Sequence, residues 1–356
     1  MSSNQTRPLL PDFNGYFPSI VELTLVRMFM KHGVFKAIPA DGILLSKLSQ
    51  ELNMDHAILE RFSNFLVTAG ILSSPTPGYV ALTPKSELCC LPLMQLCYTS
   101  AFDSIMNPVV QWSKYFGPDG LQDPNDIHGL SVKLADPPFH ESFRIDPEQA
   151  RKVHSAILLS LISTDMPITG IYNFGWVVEY STQAKAADRA LLVAVEGGQG
   201  QALAAILNEN PEIPPGSCVL QGQVQEIEEA VDATGILGAV KKVTTTPFDE
   251  QPTKGALIYY IRRALTGWSD DECIRLLKNI RRACAMDSRV LINECLLPEE
   301  PSISVAAEDL FLLKFGGKKR NEKMFAEIAT RAGFKITRVL KDLPTNSAVL
   351  ELVPIE

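Results

Sequence analysis

The chain has 356 residues, 46% hydrophobic and 21% charged, with a formal net charge of -8. That composition suits a globular protein of two packed domains, and an acidic balance without a Lys/Arg run excludes the electrostatic footprint of a nucleic-acid binder. The cysteines, 7 in all, form no CxxC pair and no zinc spacing, so no metal site is expected and the thiols read as core residues of a reducing compartment. The N-terminal stretch MSSNQTRPLLPDFNGYF lacks a basic region followed by an apolar run, and no run of about eighteen apolar residues occurs, which predicts a soluble cytoplasmic protein with no membrane partner.

In chain order, residues 17–38 carry apolar side chains at helical spacing and close near Gly33. Residues 41–86 then read as helix, turn, helix, glycine stop and a two-stranded wing around Pro75 to Gly78, the pattern of a winged helix-turn-helix. Its second helix offers Arg61 beside Glu60, poor equipment for neutralising phosphate, so packing and dimerisation are its expected roles. Residues 91–164 are mostly helical around a loop rich in Pro, Gly and Asp.

Beyond that the texture changes. Apolar runs at ALLVAVE, SCVLQG, KKVTTT, ALIYYI and RVLINECLL predict buried parallel strands, and the amphipathic SDDECIRLLKNIRRACA lies between the last two. Two terminal strands joined by a Pro/Asn turn complete an α/β domain with a doubly wound sheet and a C-terminal antiparallel hairpin. The stretch LLVAVEGGQGQAL has the form of a strand turning through Gly197, Gly198 and Gly200 into a helix whose first N–H groups can face a ligand. Glu196 interrupts it with a carboxylate where close backbone approach favours glycine.

The winged helix, the helical linker, this loop, YYIRRALTGWSDDE, VLINECLLPEE and GGKKRNEKMFAEIATRAGF, in that order, resemble the winged-helix small-molecule O-methyltransferases of plants and fungi. The resemblance implies a Rossmann-like class I methyltransferase domain over 181–356, a winged-helix dimerisation domain over 1–100 that makes a homodimer, and a helical linker over 101–180 forming part of the substrate pocket. It also marks departures. The strand acid of the S-adenosylmethionine loop falls on Ala194 and its first glycine on Glu196, the ribose-binding Asp falls on Gly222, and a third acid falls on Thr246, while Arg262 keeps a basic residue. These positions imply a vestigial cofactor site, with S-adenosylmethionine binding weak or lost at about one to three kcal/mol per missing partner.

The family's catalytic His-Asp-Trp falls on Thr266, Gly267 and Trp268, and threonine is no general base near neutral pH. Of the two acids that orient the missing His, Glu294 remains and the other falls on Lys319. The chain thus looks like the fungal members of the family that act as pericyclases, steering Diels-Alder, hetero-Diels-Alder or Alder-ene cyclisations of polyketide and pyridone intermediates without methyl transfer. On that reading Lys319, paired with Glu294, or Lys314 donates to a substrate carbonyl, while Lys318 is solvated. Asp103, Met106, Val153, His154, Ile157 and Trp268 line the pocket, with His140 a weaker candidate. An active O-methyltransferase and a non-catalytic partner subunit stand as the alternatives.

Overall fold

A computed structural model describes residues 13–92, 94, 95, 98, 166–182, 188–231, 235–312 and 317–355. The described residues separate into two compact units, one within residues 13–98 and one within 166–355.

In the first unit α1 (Phe13–Lys31) ends before Gly33, whose φ of 70° turns the chain into α2 (Val34–Ala37). Leu25, Val26 and Phe29 of α1 form a core with Leu48 of α3 (Leu45–Glu51) and with Leu59 and Leu66 of α4 (His56–Thr68). Asp55 caps α4 by accepting from Ile58 N at 2.9 Å. Strands β2 (Leu72–Ser73) and β3 (Tyr79–Leu82) make the expected wing, followed by the short α5 (Pro84–Leu88). The wing gains a third strand, β1 (Ile43–Leu44), in the order β1-β3-β2. Gly42 permits it: at φ 81°, a Cβ there would stand 3.0 Å from Val80 O.

The second unit is built on β4 (Leu192–Val195), β5 (Cys218–Gly222), β6 (Lys241–Thr244), β7 (Ile258–Arg262), β8 (Arg289–Cys295), β9 (Phe334–Asp342) and β10 (Ser347–Pro354). Their order is β6-β5-β4-β7-β8-β10-β9. Pairings from β6 to β8 are parallel, and β10 runs antiparallel to both its neighbours. The class I methyltransferase sheet and its closing hairpin are therefore present. Helices α6 (Gln201–Glu209), α7 (Val224–Val231), α8 (Asp270–Ala283), α9 (Ile303–Leu312) and α10 (Glu322–Arg331) accompany it.

Central strands read as unbroken apolar runs because both faces are covered. Val193, Tyr259 and Ile261 enter a core with Leu277 of α8 and Phe325 of α10. Their neighbours Leu192, Ala194 and Tyr260 enter the opposite core with Leu203 and Ile206 of α6. The strand order reverses between β4 and β7, and a doubly wound sheet gathers its ligand site beyond the carboxyl ends around such a point. Among the described residues no helix is long and apolar enough to cross a membrane.

Helix α8 carries a reciprocal cap: Ser269 and Glu272 satisfy each other's backbone N–H groups, Asp270 and Asp271 add negative charge to the first turn, and Arg281 and Arg282 close the last. Replacing Ser269 by Ala should lower unfolding free energy by about 1 kcal/mol in a denaturant titration.

Candidate functional site

Beyond Val195 the backbone turns sharply, with Glu196 and Gly198 at φ 50° and 54° and Gly200 at 86°. Gly197 N–H donates to Gln221 O at 2.8 Å, tying the turn to β5. A Cβ at Gly197 would lie 2.6 Å from Leu220 Cδ1 and 3.0 Å from Ala194 Cβ, so the turn rests on the strands only as glycine. Helix α6 follows at Gln201 and brings its N-terminus to the strand ends. Beside this turn a small cleft is lined by residues including Glu196, Gln221, Thr246, Asp249 and Asn279.

The acids here are arranged differently from the sequence expectation. Gly222 ends β5 without a side chain, yet a Cβ on it would stand 2.9 Å from Glu226 Oε2. Glu226 lies in the first turn of α7, and its carboxylate folds back to accept from Gln223 N at 3.2 Å. At the third vacated position Asp249 likewise folds back, its Oδ2 accepting from Thr246 N at 3.0 Å. Sequence comparison by position passes over both residues. The available signal was an acid three or four places after each vacated one, in Q-x-x-E spacing at 223–226. Burial, then the charges of Glu226 and Asp249, push the Glu196 carboxyl up to about 8.

A second polar group forms where β7 and β8 end. Glu294 is buried and accepts Leu265 N–H at 2.9 Å and the Thr266 hydroxyl at 2.7 Å. Burial raises its pKa, while the Thr266 and Leu265 hydrogen bonds and the charges of Arg263 and Arg320 oppose the rise. Arg262 donates through Nη2 to Met166 O at 2.8 Å. Arg263 follows in the left-handed region at φ 54°.

The GGKKR segment locks against this loop. A Cβ on Gly317 would fall 2.2 Å from Thr266 O, and Lys318 N–H donates to the same oxygen at 3.1 Å. Arg320, fully buried, donates to Leu265 O at 2.8 Å and Trp268 O at 2.6 Å and bonds Asp270 at 2.9 Å.

One expectation is corrected. Lys319 is buried as expected of a pocket lysine, but its ammonium pairs with Glu308 of α9 at 2.7 Å rather than with Glu294, whose oxygens already serve Thr266 and Leu265. Lys318 stays partly exposed to solvent, as expected, and also pairs with Asp270 at 2.6 Å. Trp268 is packed into the core against Phe248, with ring centroids 5.4 Å apart, where α8 begins. Asp103, Met106, His140, Val153, His154, Ile157 and Lys314 lie outside the described residues. No group of acids, Cys and His suited to a metal ion occurs among the described residues.

The family model for the O-methyltransferase domain matches residues 181–335. The chain is 45% identical over 347 residues to methyltransferase fsa4 of Fusarium sp. (strain FN080326), covering 96% of each. Among solved structures, OxaC in complex with SAH and oxaline superposes with a TM-score of 0.80 at 23% identity, over 96% of this chain and 87% of that one. A pericyclic reaction enzyme superposes with a TM-score of 0.76 at 17% identity, over 97% of this chain and 90% of that one.

The raised Glu196 pKa has a signed consequence. A carboxyl near 4.5 when unfolded and about 8 when folded favours the folded state while protonated, and that contribution is lost as pH rises from 4.5 through 8. Glu196→Gln cannot ionise. Its melting temperature should match the parent near pH 4.5 and exceed it by about 2–4 °C at pH 8.5, for a gain of about 1 kcal/mol.

Proposed function

The chain belongs to the methyltransferase-fold family of fungal secondary metabolism, and on that premise we propose that it transfers a methyl group from S-adenosylmethionine to a polyketide-derived small molecule. The observation that carries this reading is the Glu226 carboxylate standing against Gly222 at the end of β5. Weak or lost cofactor binding was expected because acids are missing at 194, 222 and 246, and the structure returns a carboxylate to the neighbourhood of two of these. The glycine turn keeps its shape, and Arg262 stays at the end of β7. Further support comes from the name methyltransferase borne by the relative fsa4 and from the SAH held by OxaC.

The residues that would hold the group are Gly197, Gly198 and Gly200 in the turn, Glu226, and Arg262. When bound it supplies an electrophilic methyl. The acceptor's proton then needs a destination, and no imidazole stands at position 266. Thr266 offers a relay: its hydroxyl already donates to Glu294 Oε2, so it can take the acceptor's proton while passing its own to Glu294. A carboxyl whose pKa is raised by burial holds that proton better than an ordinary one.

A second reading is the pericyclase, favoured by the absent imidazole and by the fold shared with a pericyclic reaction enzyme. There the Lys319 ammonium would leave Glu308 to donate to a substrate carbonyl as that oxygen gains negative charge. Incubating the purified protein with labelled S-adenosylmethionine and a panel of polyketide-derived pyridone acceptors separates the two. Methyl incorporation is expected, with Thr266→Val lowering kcat about 10- to 100-fold, Thr266→Ser restoring it and S-adenosylhomocysteine affinity unchanged. Cyclised product without label, abolished by Lys319→Ala, would establish the pericyclase instead.

We also propose a homodimer through the N-terminal unit. Tyr16, Phe17 and Ile20 of α1 are 64%, 71% and 53% exposed, an apolar face that a lone subunit leaves in water. Light scattering should give twice the subunit mass, and Phe17→Glu should shift it towards one.

A further inference from the structure

We propose that Glu226 is the residue that holds the ribose hydroxyls of the cofactor, its carboxylate relocated from the end of β5 to the first turn of α7. The proposal deepens the methyltransferase reading and rests on it. A ribose presents two neighbouring hydroxyl donors, and an ionised carboxylate with two oxygens is the side chain that accepts both. In a doubly wound sheet that carboxylate belongs at the end of the strand beside the one entering the glycine turn. Here that strand is β5, and its last residue is Gly222.

Glycine at this point is not a simple loss. The space that a side chain on Gly222 would enter is held by Glu226 Oε2, 2.9 Å from the position of a Cβ. With Glu226 folded back, a side chain at 222 would meet its carboxylate, and that flexible side chain would have to swing away to make room. Gly222 and Glu226 therefore form a matched pair, one residue making room for the other's carboxylate. An aspartate on the strand would reach this place through one methylene. Glu226 starts from the helix and needs its longer stem.

Two features hold the carboxylate there. It accepts the Gln223 N–H at 3.2 Å, which fixes the fold-back, and it sits in the first turn of α7, where the helix dipole favours negative charge. The cap alone is a structural role, so the test must separate it from ligand binding. Glutamine at 226 keeps a side chain able to cap but gives up the charge and one of two equivalent acceptors.

Calorimetric titration of the full-length protein with S-adenosylhomocysteine is the measurement, with the melting temperature of each unliganded variant read alongside. Glu226→Ala is expected to weaken binding at least tenfold, and Glu226→Gln severalfold with the melting temperature kept. Adding Gly222→Asp to Glu226→Ala should return the affinity to within about threefold of the parent, because an acid then stands on the strand end. Gly222→Asp alone should weaken binding, since two carboxylates crowd one place. The 2′-deoxyribose analogue should lose most of the difference between the parent and Glu226→Ala. If the parent binds S-adenosylhomocysteine and Glu226→Ala binds it equally well, or if the double variant stays as weak as Glu226→Ala while remaining folded, the relocation is wrong. If the parent itself does not bind, the methyltransferase reading falls first and this one with it.

Discussion

A single buried guanidinium organises the end of the sheet where chemistry is expected. Arg320 donates to three backbone carbonyls, Leu265, Trp268 and Lys318, and to the Asp270 carboxylate that opens α8. A buried charge is tolerated only when every face of it is met, and removing one partner of such a group is commonly worth about 3–5 kcal/mol. The loop from 265 to 270 is therefore fixed from behind. Thr266 sits within that loop with its hydroxyl on Glu294, so the position of that hydroxyl depends on an arginine from a distant part of the chain. Gly317 completes the lock, since the backbone of 266 and 267 occupies the space of its missing side chain.

This explains why the scaffold persists around altered chemistry. The glycine turn, the buried strands and the clamp on 265–270 are packing requirements, and each of them fails if a side chain is added or a charge left unmet. The imidazole and the strand acid carry no such structural burden. They can be exchanged while the fold remains, provided that some other group answers the functional need. On the proposed reading, Thr266 with Glu294 answers one need and Glu226 beside Gly222 the other.

The sheet was legible in the sequence because both of its faces are covered, so each central strand is a bare apolar run bounded by turn residues. The hairpin of β9 and β10 was legible from its Pro/Asn turn. The third strand of the wing was not, since Ile43 and Leu44 are too few to show alternation and their pairing depends on the close approach that Gly42 allows. At the site, the altered positions 196, 222 and 266 could be read directly, but their consequences could not. Lys319 exchanged an acid for a base, which suggested Glu294 as its partner, whereas the nearer carboxylate belongs to α9, whose approach no local pattern encodes. Glu226 is hidden for a related reason: position 222 shows a glycine, and the side chain that folds back beside it comes from four residues on.

The contact between the space of a side chain at 222 and the carboxylate of Glu226 also bears on how such a chain can change over generations. On the proposed role of Glu226, an acid on the strand and an acid on the helix are two solutions to one need, and a carboxylate at 222 would crowd the one at 226. On that role the glycine at 222 and the glutamate at 226 are expected to change together rather than singly.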